Sequence, residues 1–264
     1  MKKFISLILP VSLLILTSGT LFIINSSVYD WEKLAVKKTQ TGEERNILSG
    51  PTQTLDMFEI KAITLGQNQA FKEFRVEKGF DELLIIKEGS AEITVNGDVK
   101  TLGEGSIVVA SQGDMVKIRN QQVKNTTFYT FLFKPKAITG SVKSDVKVAP
   151  VLKDWNSTEF KTNANGGRRD IIKQPTSTLK ELEMHTTLLN EGVSSHAAHN
   201  HPDEEIILMR FGTAEMDING KPFKAGPGSI FFLTNMDNHG IRNIGKGKCE
   251  YYAFRWLTYQ EPNK

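Results

Sequence analysis

The chain has 264 residues, of which 39% are hydrophobic and 24% charged, a composition that fits a folded globular protein and excludes a disordered or fibrous one. Its 33 basic and 30 acidic residues give a net charge of +3 and are spread along the chain, so the charge pattern gives no indication of nucleic-acid binding. The single cysteine, Cys249, excludes an intramolecular disulfide and lies in a strand-like stretch, where we expect it to be buried.

The N-terminus has the pattern of an export signal. Met1-Lys2-Lys3 precedes a run from Phe4 to Ile24 that contains no charged residue. We therefore predict that residues 1–27 are a signal peptide, with an uncleaved membrane anchor as the alternative, because the run is nearly long enough to span a bilayer. The mature protein is then expected to be periplasmic or secreted, and only this segment would contact a membrane.

Beyond the leader, the sequence repeats itself with a period of about 124 residues, which is too long for a solenoid and fits a duplicated domain. Arg45–Leu55 (RNILSGPTQTL) parallels Arg169–Leu179 (RDIIKQPTSTL). Further matches join Gly89–Gly97 to Gly212–Gly220, Gly105–Ile107 to Gly228–Ile230, and Ile118–Asn120 to Ile241–Asn243. Chance is a poor explanation for four collinear matches, so we predict an internal duplication.

Each half is predicted to consist of β-strands. Short alternating or apolar runs are separated by turns, and Asn96-Gly97 and Asn219-Gly220 are two-residue hairpin signals because both residues tolerate positive φ. The predicted fold class is therefore all-β, with two small β-sandwich barrels. We place the N-terminal domain at residues 28–138, a linker at 139–165 and the C-terminal domain at 166–264.

Four residues of the second half form a metal-binding pattern: His199, His201, Glu205 and His239. Only five histidines occur in the chain, and three of them belong to this group. Imidazole and carboxylate ligands suit a divalent first-row transition metal, and four protein ligands on a six-coordinate ion leave two positions for water, substrate or oxygen. We expect the first three to share one face of a strand, with His239 folded back onto them. The alternative is a polar cluster that binds nothing.

The first half serves as an internal control for this pattern. Aligning Glu82 with Glu205 puts Val76 and Lys78 opposite the first two histidines, and Val116 falls opposite His239. All three imidazoles are missing, so the first half is predicted to be structural and to bind no metal.

Three further residues are candidates for the chemistry. His185 lies on a predicted strand before the motif, and on an inward face it would act as an acid–base or substrate-orienting group. His196 could line the mouth of the pocket or shuttle protons, although a solvated loop histidine is the simpler interpretation. Arg168 is a candidate clamp for a carboxylate, whereas Arg169 has a counterpart in Arg45 of the first half and is predicted to be structural.

Two stretches of the second half resemble the signatures of the cupin superfamily. Gly192–Gly212 contains the glycine, His-x-His, glutamate and glycine of the first signature, with one extra residue before His199. Gly228–Asn243 resembles the second, but has Thr234 and Met236 where proline and glycine are usual. The resemblance implies two double-stranded β-helix (jelly-roll) domains, with a metal inside the second barrel held by His199, His201, Glu205 and His239.

Several functions are compatible with this resemblance. Three imidazoles and a carboxylate leave a divalent ion with a charge near +1, which favours a small anionic substrate. Manganese, iron, nickel, cobalt and zinc all remain open. The first hypothesis is a non-redox isomerase, lyase or hydrolase acting on a sugar acid or ureide, because the two-cupin layout is similar to that of ureidoglycine aminohydrolases. The alternatives are an iron- or copper-dependent dioxygenase, similar to quercetin-cleaving bicupins, and a non-catalytic metal or sugar binder. Pairing into a homodimer is also expected, since cupins often pair through sheet edges.

Overall fold

The computed structural model describes residues 22–137 and 147–259. The predicted export signal falls mainly on residues 1–21, which lie outside the described part of the chain. Among the described residues, no helix has the length and apolar character that crossing a bilayer would require.

The described residues form β-strands and two short 3-10 turns, in agreement with the all-β prediction. The strands of the first half are β1 (Ser27–Tyr29), β2 (Lys37–Thr39), β3 (Gly42–Gly50), β4 (Leu55–Leu65), β5 (Ala70–Arg75), β6 (Asp81–Glu88), β7 (Ser90–Val95), β8 (Asp98–Gly103), β9 (Ile107–Ser111), β10 (Met115–Arg119) and β11 (Thr126–Pro135). Those of the second half are β12 (Val151–Lys153), β13 (Lys161–Asn163), β14 (Gly166–Gln174), β15 (Glu181–Leu189), β16 (Glu204–Phe211), β17 (Ala214–Ile218), β18 (Lys221–Ala225), β19 (Ile230–Leu233), β20 (His239–Asn243) and β21 (Cys249–Leu257). The 3-10 turns are Trp31–Lys33 and Trp155–Ser157.

The strands form two pairs of sheets with the same plan. One seven-stranded sheet has the order β12-β9-β6-β11-β4-β3-β2, and the other has the corresponding order β1-β19-β16-β21-β15-β14-β13. Each is accompanied by a smaller sheet, β5-β10-β7-β8 in the first half and β18-β17-β20 in the second. A large and a small sheet facing each other make one jelly-roll barrel, so the chain contains two.

The core has three parts, which follow from this layering. One apolar cluster lies between the two seven-stranded sheets and mixes residues of both halves, including Phe58, Phe133, Phe232 and Trp256. A second cluster fills the N-terminal barrel and a third fills the C-terminal barrel. Because strand side chains alternate between faces, each large sheet is buried on both sides, which explains its nearly continuous apolar strands.

The two halves exchange their edge strands. Strand β1 precedes the N-terminal barrel in sequence but pairs with β19 of the C-terminal barrel, and β12 pairs with β9 of the N-terminal barrel. Each of these strands leads into a 3-10 turn whose tryptophan packs on a glycine of the recipient barrel. A Cβ atom on Gly105, which has φ +89°, would lie 2.6 Å from the Trp155 indole, so the contact requires glycine. Residues 147–165, predicted as part of a linker, are therefore built into both barrels.

Two buried carboxylates also join the halves, one from each. Glu204 accepts hydrogen bonds from the Thr52 hydroxyl (2.7 Å) and the Gln53 amide (2.9 Å), and Thr54 also donates to it. Asp81 is bound in the same way by Thr176, Ser177 and Thr178. The repeated Pro-Thr-x-Thr-Leu motif of the sequence therefore forms the loop that caps the carboxylate of the other half. A buried carboxylate is tolerated only when it is fully hydrogen-bonded, so these loops fix how the barrels pack.

Candidate metal centre

The three histidines of the predicted metal motif come together, but not on a strand. Strand β16 begins at Glu204, so His199 and His201 lie in the loop before it, contrary to the expected shared strand face. His199 is fixed by two backbone hydrogen bonds to His239, of 3.0 and 2.8 Å. The loop therefore takes the position of an edge strand beside β20 and carries the imidazoles with it.

The ligand atoms of these residues converge on one point. One ring nitrogen from each of His199, His201 and His239 lies within 4.8 Å of the others. Glu205 Oε2 is 3.3 Å from Nε2 of both His201 and His239. No other cluster of three histidine, cysteine or acidic residues with this proximity occurs within residues 22–137 and 147–259.

Backbone carbonyls set the orientation of two of these imidazoles. The Nδ1 atoms of His201 and His239 lie 3.0 and 2.8 Å from the carbonyl oxygens of Asp203 and Asp237, which accept hydrogen bonds only, so each Nδ1 carries a proton. In the neutral rings, the Nε2 lone pairs then face the Glu205 carboxylate. The buried Nε2 of His239 has no hydrogen-bond partner there. Hydrogen-bond acceptors that converge on one another need a cation between them, and a backbone carbonyl that accepts from the other ring nitrogen is typical of metal-bound histidines.

Protonation states in the cluster also suit a metal. Burial raises the pKa of Glu205, but the contacts and charges of the adjacent His201 and His239 imidazoles outweigh burial and bring it to about 2. The hydrogen bond to Glu205 raises the pKa of His201, so without a metal a proton is held between these groups. Burial and the neighbouring imidazoles lower the pKa of His199. A divalent ion would replace that shared proton, as is general for imidazole and carboxylate ligands.

All seven residues singled out from the sequence line one cavity of about 340 Å³ inside the C-terminal barrel. They are Arg168, His185, His196, His199, His201, Glu205 and His239. This volume lies at the small end of the range for small-molecule sites, so the cavity suits a small substrate.

His185 lies deep in this cavity, on β15 between Asp170 of β14 and Ala253 of β21. Burial, together with the charge of Arg168, lowers its pKa to about 4, so the imidazole is neutral at pH 7. Its Nδ1 is buried without a partner.

The other two candidates lie nearer to solvent. The Arg168 side chain is 40% exposed, and its Nε donates to Asp170 Oδ1 at 2.7 Å while one terminal nitrogen lies 3.9 Å from Glu183. His196 is exposed and its ring lies 4.4 Å from that of His199. Arg169 is not in the cavity: its guanidinium stacks on Trp155 at 4.5 Å and donates to the Thr158 carbonyl, which agrees with a structural role.

Sequence reasoning did not single out several polar residues of the cavity wall, among them Glu183, Tyr251 and Arg255. Arg255 donates to Asp203 at 3.0 Å and to Glu183 at 2.9 Å, which fixes the rim beside the histidine loop. Burial raises the pKa of the Tyr251 hydroxyl, which therefore keeps its proton, and hydrogen bonds link it to Ser195 and Thr187. A signal for Glu183 was present, since Glu181, Glu183, His185 and Thr187 alternate with buried residues along β15.

Comparisons with known proteins agree with this architecture. Residues 185–255 match the family described as Cupin domain. No curated protein sequence matches the chain. Among solved structures, protein Ylba from E. coli, of family DUF861, is 14% identical with a TM-score of 0.69, covering 93% of this chain and 97% of that one. The oxalate decarboxylase of Lactobacillus farciminis, in a formate complex, is 12% identical with a TM-score of 0.69, covering 91% and 88%. AerE from Microcystis aeruginosa is 13% identical with a TM-score of 0.63, covering 85% and 98%. Such identities establish a shared fold and nothing further.

Proposed function

We propose that this protein, which has the cupin fold in two copies and matches the cupin domain in the second, is a metal-dependent enzyme that acts on a small anionic substrate. One observation carries the proposal: three imidazoles and an ionised carboxylate converge in the wall of a cavity that also contains an arginine and a neutral histidine. Perturbed titratable groups gathered in a cleft are typical of active sites.

His199, His201, His239 and Glu205 would hold one divalent transition ion, with manganese, iron, nickel, cobalt and zinc all suited to these ligands. When bound, the ion supplies Lewis-acid stabilisation of negative charge on a substrate oxygen. The fit rests on the unpaired Nε2 of His239 and on the carbonyls that orient two of the rings.

Arg168 would bind the carboxylate of the substrate. Its side chain lines the cavity and is 40% exposed, and its ion pair with Asp170 lies on the surface, where exchange for a substrate carboxylate costs little. Arg255 is held by two carboxylates, so it shapes the wall and leaves anion binding to Arg168.

His185 and Tyr251 would orient the bound substrate. With a pKa of about 4, the neutral His185 imidazole offers a hydrogen bond and does not act as an imidazolium acid at pH 7. Tyr251 stays protonated and offers an O–H group from the neighbouring strand. Both groups are fixed by strands, which gives them the rigidity that orientation of a reacting group needs.

The proposed reaction is non-redox, and the proposed substrate is a sugar acid, a ureide or a related small acid. The likeness in fold to an oxalate decarboxylase crystallised with formate supports a small carboxylate as the substrate. The N-terminal apolar run supports an exported enzyme.

A turnover screen tests this proposal. Wild-type protein loaded separately with each of the five metals would be assayed against 2-oxo acids, 2-hydroxy acids, sugar acids and ureides, with oxygen uptake recorded in parallel. We expect metal-dependent turnover of a small acid without oxygen uptake. The variant R168Q should then raise KM at least about tenfold, while R119Q, which removes an exposed cation of the first half, should not.

Two outcomes would overturn it. Oxygen uptake coupled to substrate loss would establish a dioxygenase instead. Tight binding of acids or sugars without turnover for any of the metals would establish a binding protein.

A further inference from the structure

The segment just before β1 contacts the loop that carries a metal-ligand candidate. This loop, residues 234–238, joins β19 to His239. The Ser26 hydroxyl donates to Asp237 Oδ2 at 2.5 Å and accepts a hydrogen bond from the Thr234 amide at 2.8 Å. Ser26 is therefore inserted between the two ends of the loop, although it lies 211 residues from Asp237 in the chain.

The N-terminal barrel contains the same loop without the inserted serine. In both loops an asparagine of the preceding hairpin binds the aspartate: Asn96 donates to Asp114 at 2.6 Å, and Asn219 donates to Asp237 at 2.8 Å. Each asparagine also accepts a hydrogen bond of 2.9 Å from the backbone amide of the residue that follows the aspartate. The two loops are thus built alike, which makes the first a control for the second.

The loops differ where Ser26 enters. In the first barrel the Ser111 amide donates directly to Asp114 Oδ2 at 2.8 Å, and the position equivalent to Ser26 is Pro150, which has no hydroxyl. In the second barrel the Thr234 amide donates to Ser26, which donates to Asp237, while the Thr234 hydroxyl donates directly to Asp237 Oδ2 at a longer distance of 3.2 Å. The backbone bond across the turn is correspondingly longer, 3.4 Å from the Asp237 amide to Thr234 against 2.9 Å from the Asp114 amide to Ser111.

The backbone carbonyl of the aspartate also has a different hydrogen-bond partner in the two loops. In the first barrel the Asp114 carbonyl accepts the Val76 amide at 2.9 Å. In the second, the Asp237 carbonyl accepts Nδ1 of His239 at 2.8 Å. The residue that orients the His239 ring is therefore the residue whose carboxylate receives its shortest hydrogen bond from Ser26, beside those from Asn219 and Thr234.

We propose that Ser26 is a positioning residue for the metal centre, which acts by holding Asp237 so that its carbonyl orients His239. The inference rests on the proposed metal centre and adds to it a part of the chain that lies outside the C-terminal barrel in sequence. Removing a group that orients a metal-bound histidine usually weakens metal binding 10- to 100-fold, and Ser26 is one bond further from the ion. We expect the loss of its hydroxyl to weaken metal binding by roughly fivefold.

Two matched variants isolate the hydroxyl. S26T and S26V are both β-branched and differ only in a hydroxyl against a methyl group, while S27A removes the next hydroxyl, which makes no hydrogen bond within the described residues. Affinity for Co²⁺ would be measured by competition with a chelator, together with the visible absorption of the bound Co²⁺ and the thermal unfolding of the metal-free protein.

We expect S26T and S27A to bind Co²⁺ as the wild type does. S26V should bind roughly fivefold more weakly, with a shifted Co²⁺ absorption band and a metal-free unfolding temperature close to that of S26T. Equal affinity and equal spectra for S26T and S26V would overturn the proposal, as would a loss of affinity that merely follows a fall in metal-free stability. Failure of the wild type to bind Co²⁺ at all would instead refute the metal centre itself.

Discussion

The two halves of the molecule share a fold and differ at one edge of the smaller sheet. In the N-terminal barrel, β5 pairs with β10 along its length, and Phe71 and Phe74 of β5 pack on the barrel core. In the C-terminal barrel, the loop of residues 190–203 forms no continuous strand and meets β20 through isolated bridges at Ser194 and His199. The loop has no aromatic side chain other than its histidines to fill the barrel. The cavity and the imidazoles therefore replace a strand and its aromatic packing.

The comparison shows that a cavity can form in one barrel while the rest of the fold stays the same. The seven-stranded sheets, the exchanged edge strands and the carboxylate-capping loops are the same in both halves. The structure corrects the sequence alignment here: Phe74 pairs with Val116 as His199 pairs with His239, so Val76 stands opposite His201 and not His199. Val76 and Val116 are buried in the apolar core of the first barrel. Loops tolerate such changes because the sheets beside them already provide the stability.

The largest effect is expected where the halves meet. Trp256 packs on Phe58 and Phe133 of the other half at ring distances of 5.0 and 5.3 Å. W256A should lower the free energy of unfolding by about 3–5 kcal/mol, because it leaves a large cavity in the shared core. Calorimetry should still show one transition. Two separate transitions, of which only that of the C-terminal half is shifted by the substitution, would mean that the halves unfold independently.

The next effect is expected at Glu82, the counterpart of Glu205 in the first half, where no imidazole accompanies the carboxylate. Burial, and then the charge of Glu59, raise its pKa to about 7 from an ordinary 4.5. The folded state then binds more protons than the unfolded state between these pH values, so this group lowers stability as the pH rises through that window. E82Q should therefore become more stable relative to wild type by up to roughly 3 kcal/mol between pH 4 and pH 8.

Urea unfolding at several pH values measures this difference. E59Q is the matched control, since it removes the second cause of the raised pKa and should reduce the pH dependence without abolishing it. A constant stability difference between E82Q and wild type across this range would show that the Glu82 carboxyl titrates normally.

A smaller effect is expected at the turn before His239. Met236 has φ +66°, a left-handed conformation that costs a residue with a side chain about 1 kcal/mol, whereas the equivalent Gly113 adopts φ +90° without strain. M236G should raise the free energy of unfolding by up to about 1 kcal/mol, and G113A should lower it by a similar amount. Chemical denaturation measures both changes. A destabilising M236G would show that the Met236 side chain makes contacts that outweigh the strain.

Much of the fold could be predicted from the sequence because its signals are local. The Asn-Gly hairpins and the alternating strands act within a few residues and predict an all-β fold with two barrels, and the resemblance to the cupin signatures implied that the barrels are jelly-rolls. The exchange of β1 and β12 could not be predicted, because each pairs with a distant strand and short edge strands carry no distinctive pattern.

The candidate site shows the same division. The ligand types and their spacing identified His199, His201, Glu205 and His239, and the structure brings them together. The expected strand was wrong for the two histidines, because their place is set by hydrogen bonds to β20 and not by local propensity. The contacts of Ser26 and Arg255 depend wholly on tertiary packing, so no local pattern indicates them.

The central claim is that one half of the molecule holds a metal and the other does not. Metal analysis of natively purified wild type, H201A and E82Q tests it most directly. We predict close to one transition ion per chain in wild type and in E82Q, and none in H201A, because His201 is a ligand candidate and Glu82 has no imidazole beside it. Equal metal loss in both variants, or wild-type protein that never retains a transition ion, would contradict the account.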